Sequence, residues 1–179
     1  PSQMELLATV GTSEGSPTSP VTLLEFGDFQ CPHCRVFWES ILKPLKEEFM
    51  GTGQLRVVFR HMAFLGPEST LAAEATECAA DQNMFFPYHD LLYEQQNPPN
   101  QGHITEEWLT GLANDLGMET DQFTQCLQSD EKLSRVQIST EQAHEMGIPG
   151  TPTVLINGRL VADFTDLDAI RSLIQQEIR

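Results

Sequence analysis

The chain has 179 residues, 40% hydrophobic and 20% charged, which is enough apolar material for one domain, with or without an insertion. Its 26 acidic residues against 10 basic ones give a net charge of −16. That balance argues against nucleic acid and anionic membrane surfaces, both of which call for basic patches, and no run approaches the roughly 18 consecutive apolar residues of a membrane helix.

In chain order, residues 1–20 contain the turn-forming run Gly11-Thr12-Ser13-Glu14-Gly15-Ser16-Pro17-Thr18-Ser19-Pro20 and read as a flexible tether. An export signal or anchor is expected ahead of Pro1. Val21–Phe26 is a short, mostly apolar run of strand type. A helical pattern follows from about Pro32 to Phe49, with Val36, Phe37, Ile41, Leu42 and Leu45 on one side; Pro44 should kink it, and Gly51 and Gly53 close it. Leu55–Phe59 is a second strand, so the opening unit is βαβ with a parallel pair and a right-handed crossover. The middle of the chain reads as helical. Pro67 opens a helix in which Leu71, Ala75, Cys78 and Ala79 share a face. A second helix begins at Thr105 as N-cap, with Glu106 and Glu107 in its first turn, and stops at Gly117. A third follows Thr120 and carries Phe123, Cys126 and Leu127. A fourth runs from near Asp130 to Gly147. Thr153–Ile156 and Arg159–Val161 flank Asn157-Gly158, a strong hairpin signal because a type I′ turn needs φ > 0 at both central residues. Thr165 is the expected cap of a last helix with Leu167, Ile170, Leu173, Ile174 and Ile178 inward. The order is the thioredoxin topology, an α/β fold over residues 21–179 with an all-helical insertion at about 66–147.

Of the four cysteines, Cys31 and Cys34 form the motif Cys31-Pro32-His33-Cys34 between a strand and a helix. At a helix N-terminus the first N–H groups are unpaired and the dipole favours negative charge. Pro32 suits the first helical position, since its missing N–H would go unused. Cys31 should therefore sit at the N-cap with an exposed sulfur held toward the thiolate, and Cys34 about one turn further in. His33 can donate to that sulfur or place positive charge near it. A stabilised thiolate favours the reduced form and makes the disulfide a better oxidant. Two other readings of the pair are half of a zinc site, for which a second ligand pair at zinc spacing is missing, and a structural staple, for which a two-residue spacer is poor. No metal and no cofactor is expected. Cys78 and Cys126 lie on apolar faces of two insertion helices. They read either as buried free thiols or, the favoured reading given their even number, as a structural disulfide.

Phe29-Gln30-Cys31-Pro32-His33-Cys34, together with Gly150-Thr151-Pro152-Thr153 far downstream, resembles the DsbA-like family of thioredoxin-fold thiol–disulfide oxidoreductases, from about residue 20 to the C-terminus. The resemblance implies that Cys31 is the nucleophilic cysteine, which forms a mixed disulfide with substrate, and that Cys34 is its buried resolving partner. It implies a cis Thr151–Pro152 bond facing the cysteines, which presents the Thr151 backbone to a bound peptide; the alternative is a trans proline starting a strand. It also implies that Glu25, on the first strand, is a buried acid that moves the proton of Cys34, against the alternative of an edge-exposed glutamate. Trp38 and Trp108 are expected to pack, and His61, His89, His103 and His144 to be ordinary surface or core residues.

The leading functional expectation is a monomeric extracytoplasmic oxidase that puts disulfides into reduced or unfolded proteins and is reoxidised by a membrane partner. The same chemistry run as a reductase or isomerase is the second reading, although isomerases of this fold usually add a dimerisation domain for which the chain has no room. A binding or sensor module with an idle cysteine pair is the third.

Overall fold

The computed structural model describes residues 12–178. Its centre is β2 (Val21–Gly27), which pairs in parallel with β3 (Leu55–His61) on one side and antiparallel with β4 (Thr153–Ile156) on the other. The sheet has the order β1-β3-β2-β4-β5. Strand β1 (Thr12–Glu14) runs antiparallel on the outer edge of β3, and β5 (Arg159–Leu160) forms the other edge. The tether expected over residues 1–20 is corrected from Thr12 onward: Thr12, Ser13 and Glu14 pair with Phe59, Val58 and Val57. An open β3 edge is a row of unmet hydrogen-bonding groups, and it recruits even a polar segment. Residues 1–11 lie outside the described part of the chain.

Strand alternation divides the interior. Leu24, Phe26, Val58, Met62 and Leu155 face one side, where Ala143 of α6 meets them. Leu23, Val57, Phe59, Val154 and Ile156 face the larger core on the other side, and by the same alternation so does Glu25. Helix α1 follows β2 directly. It opens as Pro32–Phe37 and continues through Trp38–Leu42, Lys43–Leu45 and Lys46–Met50. Parts of it are wound more widely; the Lys43 N–H, for example, bonds the Trp38 carbonyl five residues back. Pro44, which has no N–H to give, lies between the two widened stretches, so the helix absorbs it without breaking. Val36, expected inward, is 48% exposed. It directly precedes the buried Phe37, and neighbouring helix positions point about 100° apart.

The insertion comprises α2 (Pro67–Ala80), α3 (Phe85–Glu94), α4 (Glu106–Asp115), α5 (Thr120–Gln128) and α6 (Leu133–Glu145). Sequence reading passed over α3, although Phe85, Tyr88, His89, Leu92 and Tyr93 carry helical spacing and all are buried. Thr105 caps α4 by accepting from the Trp108 N–H. Asn157 and Gly158 both take positive φ in the β4–β5 turn. The last helix, α7 (Leu167–Glu177), is capped by Asp166, not by Thr165: the Asp166 carboxylate accepts from the Ala169 N–H. Thr165 instead donates to Asp163, so the chain reaches the helix one residue later.

Cys78 of α2 and Cys126 of α5 are joined in a disulfide across 48 residues of sequence. In the chain-entropy picture a loop of that length contributes about 4 kcal/mol. A Cys78→Ala/Cys126→Ala variant should lose roughly 2–4 kcal/mol in denaturant unfolding and keep the wild-type pH dependence of Cys31 alkylation. A changed Cys31 profile would show that the bridge shapes the site as well as the insertion.

Candidate functional site

The loop Asp28-Phe29-Gln30 carries the chain from β2 to α1, and Cys31 is the N-cap of that helix, with extended backbone and Pro32 at the first helical position. The Cys31 N–H bonds the Asp28 carbonyl at 3.0 Å, and the Cys31 carbonyl accepts from Cys34 and Arg35. Both cysteines are free thiols. Far away in sequence, Thr151–Pro152 is a cis peptide bond at the start of β4, and the Cys31 Sγ–H donates to the Thr151 carbonyl at 3.3 Å. The expected exposure of Cys31 is corrected: the residue is only 5% exposed, with the Thr151 loop against its sulfur.

The two sulfurs are pushed in opposite directions. Cys31 is lowered to about 6, first by a hydrogen bond from the Cys34 thiol and then by the neighbouring Thr151 side chain and the backbone N–H groups of Cys34 and His33, which together outweigh its burial. Cys34 is pushed well above an ordinary thiol, first by complete burial, then by the same hydrogen bond seen from the donor's side, and then by repulsion from Glu25 wherever that acid ionises. Each unit of separation is about 1.4 kcal/mol of preference for placing the negative charge on Cys31. His33 contributes through its backbone N–H; its ring is exposed and lies edge-on to Phe164, centroids 6.3 Å apart.

Glu25 is fully buried, and neither carboxyl oxygen has a hydrogen-bond partner among the described residues. Burial raises it to about 8, with further push from Cys31 and Asp90, so it is a neutral acid at pH 7. Gly27, two residues on and on the same face, is required by crowding: a Cβ there would lie 2.5 Å from the Phe59 ring. Trp38 packs in the core and donates to Asp90, which also accepts from His89 at 2.8 Å. His61 is buried against Glu77. Trp108 is partly buried against the core, and His103 and His144 are exposed. Among the described residues no group of three or more His, Cys, Asp or Glu side chains is placed to hold a metal ion, and no helix is long and apolar enough to cross a membrane.

Sequence reasoning missed the polar residues that hold the loop. The Asp28 carboxylate accepts from the Gln30, Phe64 and Leu65 N–H groups and from the Ser69 hydroxyl. The Asp28-to-Gln30 contact is an Asx turn, a local signal that was available at the sequence level. The partners from residues 64–69 are long-range and gave none.

The chain is similar to known proteins over most of its length. A family model described as Thioredoxin matches residues 9–176. The probable disulfide bond formation protein D of Bacillus anthracis is 32% identical over 171 residues, covering 93% of this chain and 78% of the relative. The disulfide bond formation protein D of Bacillus subtilis (strain 168) is 32% identical, covering 92% of this chain and 76% of that one. The crystal structure of oxidised BdbD from Bacillus subtilis matches with a TM-score of 0.86 at 30% identity, covering 93% of this chain and 91% of that one.

Iodoacetamide alkylation of the reduced protein should follow a midpoint near pH 6 at Cys31 and leave Cys34 unmodified below pH 9; a Cys31 midpoint near 8.5 contradicts the site's electrostatics. Stability should follow the same groups. Cys31 has a lowered folded value, so its contribution is fully present above the unfolded thiol range and is lost as pH falls through about 6. Glu25 has a raised value, so its burial costs stability increasingly as pH rises from 4.5 toward 8. Glu25→Gln should therefore be more stable than wild type at pH 7, by roughly 1–3 kcal/mol in denaturant titration, and equal to it near pH 4.

Proposed function

The chain belongs to the thioredoxin family as a DsbA-like protein-disulfide oxidoreductase, and from that premise we propose that it works as a dithiol oxidase outside the cytoplasm, putting disulfides into reduced or unfolded proteins. The observation that carries the reading is the division of charge between the two sulfurs: Cys31 lowered to about 6 beside a Cys34 held protonated by burial. Stabilising the thiolate stabilises the reduced enzyme, and a dithiol stable in its reduced form makes a strongly oxidising disulfide.

In the proposed cycle a substrate thiolate attacks Cys31 Sγ of the Cys31–Cys34 disulfide. The S–S bond breaks, Cys34 leaves with the electron pair, and a mixed disulfide with Cys31 forms. The departing Cys34 sulfur is buried in a place that disfavours charge, and protonated Glu25, on the same side of the sheet, is the acid suited to supply its proton. A second substrate thiolate then attacks the substrate sulfur of the mixed disulfide, the substrate leaves oxidised by two electrons, and Cys31 departs as the thiolate that its surroundings favour. The Thr151 backbone, already against Cys31 Sγ, is the natural edge for an extended substrate segment to pair with. Regeneration requires an electron acceptor, assigned here to a membrane partner, and the protein acts as a monomer. An oxidising compartment is supported by the Cys78–Cys126 bridge, a bond that reducing cytosol does not usually permit.

The test is turnover. Substoichiometric protein with a glutathione redox buffer should oxidise a reduced, unfolded protein, and Cys31→Ser should abolish this while remaining folded. Failure of the wild type to oxidise, with efficient reduction of disulfides instead, would assign the opposite direction. Cys34→Ser should accumulate mixed disulfides visible by mass spectrometry. Glu25→Gln should slow the step in which Cys34 gains or loses its proton by about 100-fold near pH 7, with the deficit narrowing at alkaline pH; equal rates at all pH values would remove Glu25 from the mechanism.

A further inference from the structure

The strand–helix corner that presents Cys31 is held from outside by the insertion. Gln96, just beyond α3, donates its side-chain amide to two backbone carbonyls at once, that of Phe29 in the loop at 2.7 Å and that of the N-cap Cys31 at 3.1 Å. The second of these is the carbonyl that also receives the Cys34 and Arg35 N–H groups, so it sets the tilt of the first turn of α1. That turn carries the His33 and Cys34 N–H groups that face Cys31 Sγ.

The segment bearing Gln96 is itself anchored. Its N–H bonds the Tyr93 carbonyl, and the Tyr93 ring packs tilted against Phe29, centroids 5.2 Å apart. Four residues on, the Asn100 N–H donates to Gln30 Oε1 at 2.7 Å, and the Gln30 amide reaches back to Ser69 and Asn100. Asn100 also donates to the Leu65 carbonyl at 2.6 Å. Its side chain occupies the place where any Cβ on Gly66 would fall, 2.6 Å from its Oδ1, so residue 66 must be glycine for the segments to meet. Asp28 completes the junction from the strand side, with four donors on its carboxylate.

We propose that Gln96 is a positioning residue for the cysteine pair: by fixing the Cys31 peptide from the insertion, it aims the first-turn N–H groups at the Cys31 sulfur, so the insertion sets the reactivity of a site built by the thioredoxin core. The argument is geometric. Hydrogen bonds to a thiolate depend on direction, and a donor that rotates out of line loses most of its effect below about 120°. Without Gln96 the Cys31 carbonyl keeps its Cys34 and Arg35 donors, so the helix still starts, but the turn would no longer be held at one tilt from the insertion. The inference rests on the reading of Cys31 as the thiolate-forming nucleophile.

The experiment compares wild type with Gln96→Met, which keeps length and removes the donor, and Gln96→Glu, which places carboxylate oxygens against the two carbonyls. Gln82→Met is the control: Gln82 bonds the Glu119 backbone through both amide atoms inside the insertion and makes neither of the Gln96 bonds to the Cys31 corner. Cys31 alkylation midpoint and melting temperature are measured for each. The midpoint should rise by about half a pH unit in Gln96→Met, roughly a threefold fall in the thiol's ionisation constant, and further in Gln96→Glu, whereas Gln82→Met should lower the melting temperature and leave the midpoint alone. Unchanged midpoints in both Gln96 variants, with a melting-temperature loss like that of the control, would make Gln96 purely structural and overturn the proposal. A wild-type midpoint near 8.5 would instead overturn the reading of Cys31 on which the proposal stands.

Discussion

Everything at this site depends on one constraint: the Cys31 sulfur occupies the end of α1 where backbone N–H groups have no helical partners. Those groups must find acceptors, and a thiolate is a better acceptor than a thiol. The rest of the local structure serves that placement. Pro32 begins the helix without adding an unused donor, Cys34 comes one turn in and donates its own S–H, and the Thr151 loop closes over the sulfur. Because β2 delivers the chain to this point from the middle of the sheet, the corner is braced by β3 and β4 on either side.

The same placement creates a problem of charge. Cys34 lies in a core that repels a second negative sulfur, so exchange needs a nearby group that carries a proton at neutral pH and can release it. An ordinary carboxylate is unsuited to this; one buried on the central strand with no hydrogen-bond partner among the described residues is suited to the proposed role. Glu25 thus reconciles two facts that conflict when considered separately, an acid in the interior of a sheet and a stability cost that grows with pH. The opposing shifts of Cys31 and Glu25 also mean that the reduced protein holds one thiolate and one neutral acid near pH 7, a state suited to passing a proton.

The fold was legible because its signals are local. Short, mostly apolar runs marked β2 and β3, Asn157-Gly158 marked the hairpin, and Thr105 marked α4. Cys31 and Cys34 were legible as a pair because a strand-to-helix corner is itself a local pattern, and Thr151-Pro152 because the resemblance supplied its partner. The bridge between Cys78 and Cys126 was readable as the favoured of two alternatives from count and helix faces, without geometry. What was not legible depends on contacts distant in sequence. Thr12–Glu14 have no strand pattern and pair because the β3 edge is open. Asp28 meets Phe64, Leu65 and Ser69, and Gln96 meets Phe29 and Cys31, only once the insertion has folded back. The burial of Cys31 belongs to the same class, since the residue covering it is 120 positions away. Helix α3 was missed for a different reason: Pro87 and the dense aromatic run around it disguised a regular helical spacing.

The central claim is that thiolate stabilisation at Cys31 makes the pair an oxidant, and the reduction potential of Cys31–Cys34 as a function of pH tests it most directly. In a two-electron couple each proton taken up adds about 30 mV per pH unit to the slope. The account predicts a potential well above the roughly −270 mV of a reducing thioredoxin. It also predicts a slope of about 60 mV per unit below pH 6 that falls to about 30 mV per unit above it, as reduction stops protonating Cys31. A potential near −270 mV, with a slope of about 60 mV per unit maintained to pH 8, would contradict it.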